Sequence, residues 1–328
     1  MVRQIQVNSF LKLLGQGISQ PALILGDDFQ KYILKTQKVS NGGQRINYNC
    51  MFLNEILAYK LAQYLEVPIP EAAIAYIDQR LIEDDREIVF VHRFDEGTFF
   101  ASQELDNVEN NLIENYQLMI QMGKPYIKRT WNSFFDNITN SDDIANIIAF
   151  DLLIANFDRY TNEGNLLIAN TEKGRKVFAI DHGHAFFGPE WNSGKIHHMR
   201  QASSTPEYIS FFTDTLLKVN EHNADGLGLV FRAIESKIDL TDIRNHSFMN
   251  IISKIEHINE QTIDSFFNDI PQDWFVEYNM QVTVYKDFLL KQKSLLRYII
   301  QLLVNKNAFT NSMGGVLYWK DEKRAGTV

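Results

Sequence analysis

Cysteine is nearly absent. Cys50 stands alone in 328 residues, so no disulfide can form within the chain and nothing supports an oxidising, secreted setting. Long apolar runs are missing as well. The greasiest stretches, Ile144 to Ala155 and Leu295 to Val304, carry Asp151 and Arg297 and fall short of the ~20 residues that a membrane-spanning helix needs. Near the start, Phe10 to Leu14 is short and broken by Lys12, too little for the core of a signal peptide. Positive charge is in deficit: 32 Lys and Arg against 41 Asp and Glu leave a net charge of −9. A broad basic surface for nucleic-acid phosphates is therefore not expected, although a local pocket for nucleotide phosphates is compatible with that balance. Internal repeats and low-complexity tracts are also lacking. These absences predict a cytoplasmic protein with no membrane span and no direct nucleic-acid partner.

What is present is ordinary for a globular chain, 45% hydrophobic and 22% charged, long enough for one large domain or two smaller ones. The first hundred residues read as mostly β with one helix. Ala22 to Leu25 and Lys31 to Thr36 are short apolar strands split by the turn signal Gly26-Asp27-Asp28, and Asn41-Gly42-Gly43 opens a flexible loop. From Met51 to Leu65 the apolar positions Leu53, Leu57, Leu61, Tyr64 and Leu65 recur at helical spacing, and Pro68 and Pro70 bar continuation. Ala72 to Ile77 and Glu87 to Phe94 read as two more strands. After about residue 103 the pattern turns helical. Ser141-Asp142-Asp143 is an N-terminal helix signal, followed by the stripe Ile144, Ile147, Ile148, Leu152 and Ala155. Two strands, Asn165 to Ala169 and Lys176 to Ile180, come next, joined by the polar turn Asn170 to Arg175. From Pro206 to Asn305 the chain is amphipathic helix after helix, the clearest being Val282 to Val304, and the tail from Lys306 lacks periodicity and is expected to be mobile. This order predicts an α+β fold of protein-kinase-like, two-lobed type, with residues 1–102 as a β-rich N-lobe and 103–328 as a helical C-lobe. No strand–helix alternation supports a doubly wound sheet.

One constellation carries chemistry. Phe150 to Arg159 ends a helix and enters the polar loop Tyr160-Thr161-Asn162-Glu163-Gly164-Asn165, which leads into Leu166-Leu167-Ile168 and later to Ile180-Asp181-His182-Gly183. A carboxylate, then an Asn, then a second carboxylate at a strand end are the parts needed for phosphoryl transfer. One Asp orients the attacking hydroxyl, while the Asn and the other Asp hold Mg²⁺ against the phosphates. Tyr32-Ile33-Leu34-Lys35 supplies a strand lysine, and Glu55 is a helix acid placed to pair it.

Gly17-Ile18-Ser19-Gln20-Pro21, Tyr32-Ile33-Leu34-Lys35, Asn54-Glu55-Ile56-Leu57-Ala58-Tyr59, Val67-Pro68-Ile69-Pro70, Asn156-Phe157-Asp158-Arg159, Asn165-Leu166-Leu167 and Ile180-Asp181-His182-Gly183-His184 together resemble the HipA-like kinases, over about residues 10–190. The resemblance implies an ATP- and Mg²⁺-dependent serine/threonine kinase whose partners are ATP and a protein bearing a Ser or Thr hydroxyl. It implies Asp158, in the pair Asp158-Arg159, as catalytic base, Asn165 and Asp181 as metal ligands, Lys35 on the phosphates with Glu55 behind it, and Phe100-Ala101-Ser102 near the hinge that holds adenine. Ser19 falls in the piece similar to the loop over the phosphates, where relatives carry an autophosphorylated Ser. One departure leaves the metal Asn open. The position five after Asp158 is Glu163, so Asn165, pinned by the strand after it, competes with Asn162. The long segment ahead of the kinase core in full-length HipA toxins has no counterpart here, so a toxin–antitoxin role does not follow.

Phosphatidylinositol 4-kinases look similar around the Asp-Arg and Asn-Leu pieces, so a lipid or small-molecule kinase is an alternative. A non-catalytic nucleotide-binding pseudokinase is another. The histidines His182, His184, His197 and His198 with Asp181 invite a metal-hydrolase reading, but Asp-x-Gly-His at a strand end is not a ligand spacing. Asp151 lies on the apolar face of its own helix, where a paired, buried structural acid is the expected reading.

Overall fold

The computed structural model describes residues 1–14, 21–41, 44–90, 94–109, 133–160, 165–218 and 228–320. Five strands from its N-terminal part close into a barrel in the order β1-β2-β3-β7-β6. They are β1 (Arg3–Leu13), β2 (Ala22–Gly26), β3 (Lys31–Leu34), β6 (Ala72–Ile77) and β7 (Gly97–Gln103). All neighbours run antiparallel except β1 and β6, which pair in parallel and seal the barrel. Alternation along β6 sends Ala73, Ala75 and Ile77 into the barrel and Ala72 and Ile74 outward to the main core, the two-residue period of a strand buried on both faces. Small residues at Ala22, Ala73, Ala75 and Ala101 leave room for Tyr32 and Phe94 inside so narrow a barrel. A hairpin, β4 (Lys38–Asn41) with β5 (Gln44–Asn47), stands apart from it.

Helix α1 (Met51–Leu65) is buried on nearly every side, including Leu53, Leu57 and Leu61, and only Tyr64 of the predicted stripe is substantially exposed. It packs between the outer face of β7 and the helices that follow, in one core that also takes in Ile74 and Phe100 of the barrel. Glu66 ends α1 in the left-handed conformation, and Val67 donates back to the Ala62 carbonyl, a C-terminal cap closed without glycine.

Two short helices, α2 (Gln79–Asp84) and α3 (Glu87–Phe90), precede β7. The strand predicted over Glu87 to Phe94 is thus a helical turn at its start. An apolar run this short does not distinguish strand from helix, and the barrel position is taken by β7, which the sequence reading passed over along with β1.

The helix predicted after Ser141 is α4 (Asp143–Leu153), with Asp143 in its first turn. Its β-ribbon follows as β8 (Leu166–Thr171) and β9 (Gly174–Ala179), joined through a two-residue turn at Glu172-Lys173. The later helices are α5 (Ser193–Arg200), α6 (Pro206–Lys218), α7 (Leu229–Glu235), α8 (Met249–Glu256), α9 (Glu260–Phe266), α10 (Tyr278–Gln292) and α11 (Leu296–Asn305). The long helix expected over Val282 to Val304 is broken between α10 and α11. There Ser294 and Leu295 donate to carbonyls three residues back, a 3₁₀ tightening that turns the chain. Of the tail expected to be mobile, the described part to residue 320 packs instead: Phe309, Leu317 and Trp319 are buried, Leu317 donates to Gln301, and the Trp319 ring meets His246 edge-on.

Candidate active site

Three of the sequence-predicted side chains meet where the barrel faces α1 and the segment after β9. Lys35 follows β3, and its backbone N–H donates to the Phe100 carbonyl of β7 at 3.0 Å. Its ammonium group pairs with the Glu55 carboxylate of α1 and, at 2.9 Å, with Asp181 Oδ1. Lys35 and Glu55 are buried, while the Asp181 side chain is 41% exposed. Burial alone would neutralise Lys35, but the charges of Asp181 and Glu55 raise its pKa instead. Burial likewise pushes Glu55 up against the pull of Lys35. At Asp181 the balance tips the other way: burial would raise the carboxyl, yet Lys35 drags it down to about 2. An ionised, partly open carboxylate results. Its backbone lies in the left-handed region, φ 60°, costly for a non-glycine residue and maintained only where surrounding contacts impose it.

Those contacts come from Arg159. This side chain is fully buried; Nε and Nη2 fork onto Asp151 at 2.7 and 3.0 Å, while Nη1 donates to the carbonyls of Asn165 (2.5 Å) and Ile180 (2.7 Å). One guanidinium thus fixes the backbone at Asn165 and immediately before Asp181. Asp151 also accepts from Asn156 and Tyr160 and is the paired, buried acid that its place on the α4 apolar face suggested. Asn165 is buried and donates its amide to Asp158 Oδ2 at 3.1 Å. Asp158 is half-buried and lines an open cleft. Phe100, Ala101 and Ser102 sit on β7 beside β3, Ser102 opposite Ile33 and Ala101 opposite Leu34. Ser19 and Asn162 lie outside the described residues.

The turn after Asp181 is held by a set that sequence reasoning missed. Asn54, next to Glu55, donates its amide to the carbonyls of Gly183, Ala185 and Gly188 at 2.7, 2.9 and 3.0 Å. Glu55 accepts from the His182 backbone N–H. Lys195 of α5 is buried and donates to Gly188 O (2.7 Å) and Asn54 Oδ1 (3.1 Å), with the Tyr285 ring 5.2 Å from its ammonium. Burial lowers its pKa to about 8. The adjacency of Asn54 to Glu55 is the one sequence signal for this clamp; Lys195 gave none. The histidines do not converge: His182 is buried against Phe150, and His198 stacks on Phe187 and Phe211. Among the described residues no group of three or more His, Cys, Asp or Glu side chains gathers as a metal site, and no helix is long and apolar enough to cross a membrane.

Comparison with known proteins gives the family. The family described as HipA-like kinase matches residues 7–223, about two thirds of the chain. The chain belongs to the HipA-like kinase family, and so to the phosphotransferases. No curated protein matches it significantly. Among solved structures it is similar to the proinflammatory kinase CtkA of Helicobacter pylori (12% identity, TM-score 0.49, covering 95% of this chain and 100% of that one). It is also similar to Shewanella oneidensis MR-1 HipA from a complex with HipB and operator DNA (14%, TM-score 0.40, 86% and 65%), and to hydra Fam20 with sugar (13%, TM-score 0.34, 98% and 89%).

Proposed function

We propose that the chain is an ATP- and Mg²⁺-dependent serine/threonine protein kinase, with residues 1–102 as N-lobe and 103–328 as C-lobe. The observation that carries this is the contact of Lys35 with both Glu55 and Asp181, 20 and 146 residues away in sequence. It gathers a phosphate-binding cation, its orienting acid and an anionic oxygen ligand at one point.

The donor set suits a hard cation. Asp181 offers an ionised, partly exposed carboxylate, and Asn165, whose amide nitrogen is committed to Asp158, keeps its oxygen for a metal. Both backbones are fixed by Arg159, so the two ligand positions are set before any cation arrives. Asp181 and Asn165 would hold Mg²⁺, whose chemistry there would be to neutralise charge on the transferred phosphoryl group. Lys35 would meet the phosphates, held by Glu55, and the β7 edge at Phe100 to Ser102 would lie beside the adenine. Asp158 would orient the acceptor hydroxyl and take its proton as the new P–O bond forms and the bond from the γ-phosphorus to the β,γ-bridging oxygen breaks, its electron pair leaving with ADP. Arg159 spends four of its five N–H groups on Asp151 and on the carbonyls of Asn165 and Ile180, and its part is positioning. Asn162 keeps its standing as an alternative ligand. Ser19 is proposed as a site of autophosphorylation, where the added charge would repel ATP.

The test combines calorimetry with transfer of labelled phosphate. Asp181→Asn is expected to weaken Mg²⁺-ATP binding, because an anionic ligand is lost. Asp158→Asn should bind Mg²⁺-ATP like the parent and transfer nothing, and phosphosite mapping of the parent should find phosphate on Ser19. A parent that binds ATP no better with Mg²⁺ than without it would sink the proposal.

A further inference from the structure

The Asp158 carboxylate forms one wall of a cleft of about 440 Å³ whose other walls include Phe157, His184, Phe187, His198 and Phe211. Three of these rings form a ladder. His198 of α5 lies nearly parallel to Phe187 on one side (5.5 Å, 24°) and to Phe211 of α6 on the other (5.5 Å, 13°). Phe157, one residue before Asp158, packs on Phe187 at 5.6 Å. The backbone is strained to build this wall: Phe186 and Phe187 are consecutive left-handed residues, φ 56° and 64°. Phe186 is thereby sunk in the core while Phe187 stays half-buried at the cleft. Left-handed bulky residues cost ~1–3 kcal/mol each and cluster where function requires them. Asp158 is the one Asp, Glu, Lys or Arg among the described lining residues. His198 Nδ1 is buried without a hydrogen-bond partner among the described residues. Phe211 remains 37% exposed, so the cleft is open along its length.

We infer that this cleft is the acceptor subsite, and that it selects a polypeptide with an aromatic or large aliphatic side chain within two residues of the phosphorylated Ser or Thr. The inference rests on the reading of Asp158 as the residue that meets the acceptor hydroxyl. With that hydroxyl at Asp158, residues up to two positions away reach ~7 Å along an extended chain, onto the ring ladder. An acidic flank would lose hydration against phenyl faces, with no Lys or Arg among the described lining residues to recover it. An apolar ring would stack on the exposed part of Phe211, which His198 backs from its other side, in the offset geometry that aromatic pairs prefer.

The experiment is a positional-scanning peptide library with a fixed Ser or Thr, presented to the full chain with Mg²⁺-ATP. Aromatic and large aliphatic residues should be enriched about tenfold over Asp and Glu beside the acceptor, the worth of one buried ring contact. Phe211→Ala and His198→Ala should each raise the KM of the selected peptide by about tenfold, with His198→Phe restoring it. Calorimetric Mg²⁺-ATP affinity equal to the parent's would show that the variants fold. A flat or acidic preference, or an apolar preference that survives both alanine variants, overturns the subsite. Intact Mg²⁺-ATP binding with no peptide labelled overturns it alone, whereas loss of Mg²⁺-dependent binding in the parent takes the kinase reading with it.

Discussion

Arg159 holds more of the site together than any other single side chain. Its charge is paired in a fork with Asp151, and its remaining donor spans the carbonyls of Asn165 and Ile180. Removing one partner from a buried pair leaves the other charge desolvated and unmatched, at ~3–5 kcal/mol. Arg159→Met is therefore expected to lose about 3 kcal/mol or more in urea unfolding, and Arg159→Lys to recover only part, since an ammonium cannot reproduce the fork. A well-folded Arg159→Met of parental stability that fails to transfer phosphate would place the guanidinium at the reacting atoms instead. At this scale the side chains legible in the sequence were those whose type alone suggests chemistry: Asp158, Asn165, Asp181, Lys35 and Glu55. Asn54 and Lys195 were not legible, because their meaning lies in partners far along the chain, Gly183 being 129 residues from Asn54.

Among elements, α1 does the most to position the site. Its Asn54 and Glu55 grip opposite ends of the turn after Asp181, so the helix and the turn cannot move independently. The grip requires Gly183: a Cβ there would lie 2.6 Å from Met51 Cγ and 3.3 Å from Glu55 Oε1. Gly183→Ala should force α1 and the turn apart, costing about 1–3 kcal/mol of stability and weakening Mg²⁺-ATP binding through Lys35 and Asp181. Denaturation and calorimetry on the same preparation check both, and a variant unchanged in both would mean that the turn yields freely. Elements with a clear period or hard stops were readable: Met51–Leu65 ends before Pro68, and Ala72–Ile77 matches its predicted bounds. The barrel was not. β1 alternates polar and apolar residues with bulges at Val7/Ser9 and Phe10/Lys12, which breaks the two-residue period. β7 has strong strand formers only at Thr98-Phe99-Phe100, with Gly97 before them and Ala101-Ser102-Gln103 after, and pairing on both sides carries the rest.

For the whole molecule, barrel, α1 and the later helices share one hydrophobic core, so a buried group beside α1 should register in global unfolding. Lys195 is such a group. It sits among Gly188, Asn54, Cys50 and Tyr285 with no carboxylate of the described residues bonded to it, and burial brings its pKa from 10.5 to about 8. Below pH 8 both folded and unfolded chains carry the proton, and burying the cation costs about 3 kcal/mol in full. Between about pH 8 and 10.5 the folded protein releases that proton while the unfolded chain keeps it. The unfolded state then binds more protons, and stability rises with pH. Lys195→Met has no such proton to release. The stability of the parent relative to that variant should therefore climb by about 2 kcal/mol between about pH 8 and 9.5, a range chosen to end before the buried tyrosines Tyr160 and Tyr285, both raised by burial, begin to titrate. The carbonyls of Gly188 and Asn54 lose their donor in the variant at every pH, which offsets the curve without tilting it. Urea unfolding of both proteins across that range measures the slope. A flat difference would mean that Lys195 stays charged to the pH of a free lysine, held there by Gly188, Asn54 and the face of Tyr285.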